Sequence, residues 1–279
     1  MTQASLMVRL TAGASNASLL RFAVDAASRL KAERVIGISA RQPIQIYAGP
    51  DGFVPAELIE GDFEQIDKEL RAAEKAFHAA MDGKVKKVEW RSTTVTFGTI
   101  ADYVAQQMRA ADLLITEATN GGSLFDDGRR VNLADLVLRV GKPVLVVGST
   151  VDKLDLRSVI LCWKDTREAR RAAEDALPIL KLADRVSVVE VAAKDDLDEA
   201  RTRTEDITGW LASHGIKASA RAVGSGGEDA AEIETIANQL DAGLVVGGAY
   251  GHTRVREWVL GGVTKDLLLR PSHCSLASH

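Results

Sequence analysis

LADLVLRVGKPVLVVG, at residues 133–148, aligns with TKDLLLRPSHCSLASH, at residues 264–279, at a constant offset of 131. Within this alignment DLVLR at 135–139 lies over DLLLR at 266–270. In each copy a stretch with helical spacing leads into a short segment that fits a buried strand. A repeat of this length indicates that one structural unit occurs twice in the chain, and every other motif has to be interpreted against it.

Two further matches extend the repeat toward the start of each copy. VAQQM at 104–108 aligns with IANQL at 236–240, and an apolar run follows each segment within a few residues. ERV at 33–35 aligns with DRV at 184–186, here at an offset of 151 rather than 131. The offset decreases from 151 to 131 along the two copies. The first copy must therefore carry an insertion of about 20 residues between these matches.

The insertion is placed most economically at residues 41–62, where Pro43, Pro50, Gly52 and Pro55 interrupt any regular element. The chain is therefore predicted to consist of two related domains. Their boundaries are residues 1–150 and 151–279, and both lengths are sufficient for a hydrophobic core.

Short apolar runs alternate with helical stretches in both domains. The first domain is predicted to have strands at 6–10, 35–39, 88–94, 113–116 and 144–147. The second is predicted to have strands at 159–163, 186–191, 216–223, 244–247 and 274–278, with helices near 166–183, 196–213, 228–241 and 262–270. Five strands with intervening helices indicate an α/β fold, a doubly wound parallel sheet in each domain. Ligands of such sheets bind beyond the carboxyl ends of the strands, at the switch point of the strand order.

The last strand of the first domain, Val144 to Val147, is apolar throughout. An exposed apolar edge of this kind promotes aggregation, so we expect it to be covered. The equivalent strand of the second domain would cover it and relate the two halves by a pseudo-two-fold axis. This arrangement predicts a monomer with internal pseudo-symmetry, or a homodimer of such chains; the sequence identifies no other protein partner.

Composition limits the classes of partner. Lys and Arg number 35 against 39 Asp and Glu, which gives a net charge of -4. Neither the basic nor the acidic residues form runs that would indicate a binding patch for nucleic acid or membranes. Nucleic acid and membranes are therefore not expected as partners. Cys162 and Cys274 cannot form a disulfide framework or a CxxC metal site and are interpreted as buried thiols in a reducing compartment. Without an apolar run of about 18 residues, the sequence predicts a cytoplasmic protein.

A glycine-rich loop follows the fourth strand of the second domain: GGAYGHTRVREWVLGGVT, at residues 247–264. Gly248 and Gly251 allow a sharp turn and the close approach of a ligand to backbone N–H groups. Gly261 and Gly262 open the last predicted helix, whose N-terminus favours phosphate. The alternative interpretation is that these glycines do no more than form tight turns at strand ends.

This spacing resembles the ATP-binding signature of the universal stress protein family, in which a Ser or Thr follows the last glycine. The turn WKDTREA at 163–169 and the tandem repeat fit the same family, and the resemblance covers nearly the whole chain, most clearly 158–270. It implies two Rossmann-like domains, and an adenine nucleotide, ATP with Mg²⁺, bound in the second. The candidate nucleotide-binding residues are then Lys164, Asp165, Val189, Gly248, Gly251, His252, Gly261, Gly262, Val263 and Thr264.

Several positions depart from the family pattern. Gly262 stands where the nucleotide binders have a hydroxyl side chain, and Thr264 comes two residues later. Lys164 stands where the family has an aspartate near the ribose, with Asp165 one place further. In the first domain Arg130 and Val131 replace the second pair of glycines, and Thr11-Ala12 offers no acid after the first strand. The first domain is therefore predicted to be a degenerate copy that has lost nucleotide binding.

Other functions remain as alternatives. The departures favour a nucleotide-independent dimerisation scaffold, and an enzyme that slowly hydrolyses ATP or transfers an adenylyl group is a third possibility. SGGED at 225–229 resembles the loop of ATP pyrophosphatases but follows the wrong strand. Its simpler interpretation is a loop that leads into a helix, with Ser225 as the N-cap or with a first turn rich in Glu228 and Asp229. The five histidines show no metal-binding spacing, and no nucleophile has a base at a motif spacing. Neither catalytic nor metal-binding residues are predicted.

Overall fold

The computed structural model describes residues 5–44, 56–118, 131–249 and 274–279. The strands are Ser5–Arg9 (β1), Arg34–Arg41 (β2), Lys87–Thr94 (β3), Leu113–Glu117 (β4), Val144–Val147 (β5), Val159–Cys162 (β6), Val186–Ala192 (β7), Ala218–Gly224 (β8), Leu244–Gly248 (β9) and Cys274–Ser278 (β10). The helices are Ala17–Arg29 (α1), Ala56–Met81 (α2), Ile100–Gln107 (α3), Leu133–Val140 (α4), Arg167–Leu180 (α5), Leu197–Ser213 (α6) and Asp229–Gln239 (α7). Strands and α-helices thus alternate from β1 to β5 and from β6 to β9 in the described part of the chain.

All ten strands form one sheet, in the order β3-β2-β1-β4-β5-β10-β9-β6-β7-β8. Within each half, neighbouring strands are parallel. The second half repeats the strand order of the first in the opposite direction across the sheet. Each half therefore has the doubly wound order 3-2-1-4-5, with its switch point between the first and fourth strands, which are β1 and β4 in one half and β6 and β9 in the other.

The two halves join at one antiparallel strand pair. β10 pairs with β5, with Ser275 opposite Val146, Leu276 opposite Leu145 and Ala277 opposite Val144. Leu145 and Leu276 are also equivalent residues of the sequence repeat, so a pseudo-two-fold axis passes through this pair. The apolar edge of β5 is thus covered by its own repeat, and the predicted fold of two pseudo-symmetric five-stranded α/β units is confirmed.

Helices cover both faces of the sheet. One face packs against α1, α2, α5 and α6 in a core that crosses from one half to the other, with Leu145, Val147 and Leu276 at the join. The opposite face packs against α3 and α4 in the first half and against α7 in the second. Because both faces are covered, the central strands are apolar on both sides, as expected of a parallel sheet.

Most element boundaries predicted from the sequence lie within two residues of the observed ones. The predicted helix at 262–270 lies outside the described residues. The proposed N-cap Ser225 is wrong: α7 begins at Asp229 after Glu228, and the Ser225 hydroxyl instead contacts the Gly227 N–H and the Asp229 carboxylate. No helix in the described ranges combines the length and apolar character that crossing a bilayer requires. The division of the chain at residue 150 stays a prediction.

Candidate functional site

The switch point of the second half lies between β6 and β9. These strands are adjacent and parallel, with Leu161 opposite Val246, so their carboxyl ends lie side by side. β6 leads into Lys164 and Asp165, and β9 leads into the glycine-rich loop through Gly248. The fold therefore brings together, at the edge where doubly wound sheets bind ligands, two segments that are more than 80 residues apart in sequence.

The turn after β6 presents two charged side chains to solvent. Lys164 and Asp165 are both exposed, and Asp165 forms an ion pair with Arg170 on the first turn of α5. The Lys164 carbonyl oxygen accepts a hydrogen bond from the Thr166 N–H at 2.7 Å, which closes the turn. Thr166 then caps α5, because its hydroxyl oxygen accepts from the Ala169 N–H at 3.2 Å. The turn is thus rigid, with Lys164 as its exposed cation.

Gly248 lies at the closest approach between β9 and α5. A Cβ atom at this position would lie 2.5 Å from the Glu168 carbonyl carbon and 2.6 Å from the Ala169 nitrogen. Both are backbone atoms, so a side chain could be accommodated only by moving the helix. Packing therefore explains this glycine independently of any ligand.

Val189 and Trp163 are buried near the carboxyl ends of the strands at this switch point. The Val189 side chain is buried with Ile160 and Ile233, and its carbonyl oxygen accepts from the Trp163 N–H at 2.7 Å. Only the backbone of Val189 could therefore meet a ligand. The Trp163 indole is also buried, and its Nε1 has no hydrogen-bond partner among the described residues.

A partly buried ion pair below this site was not found from the sequence. Glu190 on β7 is 3% exposed and is held by Arg203 of α6, whose Nη2 lies 2.6 Å from Oε1. The Arg203 Nε lies 3.1 and 3.2 Å from the two carboxylate oxygens, so the contact is bidentate. The hydrogen bond to Glu190 raises the pKa of Arg203, and the negative charge of Asp165 adds to this effect. The sequence signal was a glutamate inside the apolar strand VSVVEVA.

The switch point of the first half contains a buried arginine that was also missed. Arg9, at the end of β1, is 5% exposed, and its Nε donates to the Thr116 hydroxyl on β4 at 2.8 Å. Burial lowers the pKa of Arg9 to about 10, while the nearby Glu117 raises it. Burial also raises the pKa of Glu117, and the positive charge of Arg9 opposes this. The sequence signal was again one charged residue inside an apolar strand.

A cavity of about 440 Å³ lies elsewhere in the first half, between the loop that precedes α1 and the middle of α2. Much of its polar lining is paired within the chain. Asn16 exchanges hydrogen bonds with the Thr11 backbone, and Glu69 lies 3.2 Å from the Arg41 Nε. This cavity therefore offers less to a charged ligand than the two switch points.

The remaining candidate residues, Gly251, His252, Gly261, Gly262, Val263 and Thr264, lie outside the described residues. Over the described part of the chain, no group of three His, Cys, Asp or Glu side chains could hold a metal ion. Burial raises the pKa of both Cys162 and Cys274 to about 12. Both are free cysteines that stay protonated at neutral pH, when a thiol is a poor nucleophile.

Neither a protein-family model nor a curated protein sequence matches this chain significantly. Solved structures do match it. A universal stress protein from Archaeoglobus fulgidus aligns with a TM-score of 0.74 and 12% identity, over 98% of this chain and 95% of that one. The chain has the tandem universal stress protein fold. The resemblance found in the sequence is thus confirmed at the level of the fold.

A second structure, a functionally unknown protein from Pseudomonas aeruginosa, aligns with a TM-score of 0.59 and 15% identity, over 99% of this chain and 92% of that one. Both alignments run almost end to end, so the tandem universal stress protein fold includes both halves. At these identities the similarity establishes architecture, and function has to be argued from the residues of the site.

Proposed function

We propose that this protein is a universal stress protein whose second half binds an adenine nucleotide, ATP with Mg²⁺, as a binding or regulatory module rather than an enzyme. The observation that carries the proposal is the adjacency at the second switch point. The turn after β6 and the glycine motif after β9 begin side by side, with Lys164 exposed at the end of one of them. The ligand class comes from the sequence resemblance, and the strand order supports this location for it.

The chain offers the types of group that such a ligand needs. Backbone N–H groups of residues 249–252 and 261–264 would receive the phosphates, because glycines in both segments leave the backbone accessible. Lys164 would add a positive charge where the family has an aspartate. Mg²⁺ would be held mainly by the phosphates, as is usual for this ion with nucleotides.

The test is a calorimetric titration of nucleotide-stripped protein with Mg-ATP. We expect one site per chain, and we expect Gly261→Val to weaken binding by at least about tenfold, because the valine side chain would occupy the space of the phosphates. Arg130→Val is the matched control, since residue 130 is the repeat equivalent of residue 261 in the degenerate copy. It should leave the affinity unchanged.

Equal affinity in Gly261→Val and the wild type would remove the glycine loop from the site. The absence of any heat in the wild type would favour the second candidate, a nucleotide-independent scaffold. Two structural observations support that alternative: packing against α5 already accounts for Gly248, and Asp165 is already paired with Arg170. A homodimer and a cytoplasmic location stay predictions under both candidates.

A further inference from the structure

We propose that the first half binds a small oxyanion, a phosphate or carboxylate group, through the Arg9 guanidinium at the switch point between β1 and β4. This site is separate from the nucleotide site of the second half and does not depend on it. It would give a ligand of its own to the copy that the sequence predicts to have lost nucleotide binding.

The Arg9 guanidinium is held in place by one hydrogen bond, and not all of its N–H donors have a partner. Its Nε donates to the Thr116 hydroxyl at 2.8 Å, which fixes the plane of the group against the end of β4. Nη2 is buried and has no hydrogen-bond partner among the described residues. A guanidinium has five N–H donors arranged as a fork that matches two oxygens of a carboxylate or phosphate. Of that fork, Nη2 is the atom whose donors remain for a ligand.

The charge of Arg9 also lacks a contact partner. At neutral pH the side chain is protonated, because burial lowers its pKa no further than about 10. Glu117 raises the pKa of Arg9 electrostatically, and the side-chain hydrogen bond that Arg9 makes among the described residues goes to the neutral Thr116 hydroxyl. Buried cations in proteins are generally paired, since desolvation without a partner is costly. An oxyanion would supply the missing partner.

The location is the one where this fold binds ligands, and the two halves differ there. In the first half Arg9 lies opposite Thr116 in the sheet register. The equivalent strand positions in the second half carry Cys162 and Gly247. A neutral thiol and a glycine cannot attract an anion by charge. Among the residues that the structure describes, a buried cation therefore occurs at the first switch point and not at the second, and we infer that the copies have diverged toward different ligands.

The experiment follows thermal unfolding of the full chain in increasing sodium phosphate, and separately in sodium acetate, with ionic strength held constant by sodium chloride. A ligand that binds the native state raises the melting temperature in a saturable manner. We expect this rise in the wild type and its loss in Arg9→Met. Arg21→Met is the matched control, because Arg21 is an exposed arginine with a single ion pair to Asp152. It should respond as the wild type does.

Glu117→Gln gives a second readout. Removing the negative charge beside the anion should strengthen its binding by about fivefold, as expected for a neighbouring like charge partly screened by water. If Arg9→Met does not fold, Arg9→Lys replaces it, since lysine keeps the charge and lacks the fork. A response to phosphate, to acetate or to both that requires Arg9 supports the site and distinguishes the two sources of oxyanion. The proposal is overturned if neither anion gives a saturable rise in the wild type, or if the Arg9 variant responds equally.

Discussion

Arg203→Met is expected to lower the free energy of unfolding by about 2–3 kcal/mol, less than the cost of breaking a fully buried ion pair because the Arg203 side chain is 28% exposed. Glu190 is 3% exposed, and Arg203 binds both of its carboxylate oxygens. Methionine keeps most of the volume of the side chain and removes all of its donors. The glutamate would then remain as a charge under α6 without a contact cation, or would have to take up a proton.

Chemical denaturation of the wild type, Arg203→Met, Glu190→Leu and the double variant measures this effect as a thermodynamic cycle. The double variant should recover most of the lost stability, because it leaves no buried charge without a partner. Arg201→Met is the matched control on the same helix. Arg201 contacts Asp198 at the surface, where such pairs contribute about 0–1 kcal/mol. If Arg201→Met and Arg203→Met were equally destabilising, helix propensity and not the ion pair would be the cause.

The architecture could be predicted from the sequence because it depends on signals that are local or repeated. Alternating apolar runs and helical stretches specified the strands, and the repeat specified that the two halves share one topology. The pairing of β5 with β10 followed from a physical requirement, since an apolar edge strand has to be covered and its repeat was available. The boundaries were less accurate where a helix ends in a turn, as at the end of α5, which was predicted near residue 183 and lies at Leu180.

The chemistry of the two switch points could be predicted only in part. The glycine motif has a fixed spacing, and its position after β9 followed from the strand assignment. By contrast, Arg9 meets Thr116 across 107 residues of sequence, and Glu190 meets Arg203 from another element. A charge inside an apolar strand indicates that a partner exists. The identity of that partner depends on tertiary structure, and no sequence spacing encodes it.

Gly248 separates a packing role from a ligand-binding role, because the two predict different results for one substitution. Gly248→Ala is expected to lower the free energy of unfolding by about 2–3 kcal/mol, since the new Cβ would lie 2.5 Å from the backbone of Glu168 and α5 would have to move. Thermal or urea unfolding measures the change. Gly209→Ala in α6 is the control, because no atom outside its own helix and its chain neighbours lies within 4 Å of a Cβ at that position. This substitution should raise the free energy of unfolding by about 0.5–1 kcal/mol, since alanine favours the helix more than glycine does.

The result for Gly248→Ala decides how the glycine motif should be interpreted. Destabilisation would mean that its first glycine is required by the contact between β9 and α5, so that its presence says nothing about nucleotide. In that case Gly251 and Gly261, which this contact does not explain, become the positions whose substitution tests binding. A variant of wild-type stability that no longer binds Mg-ATP would contradict the packing interpretation, and would place Gly248 against the ligand despite the proximity of the helix.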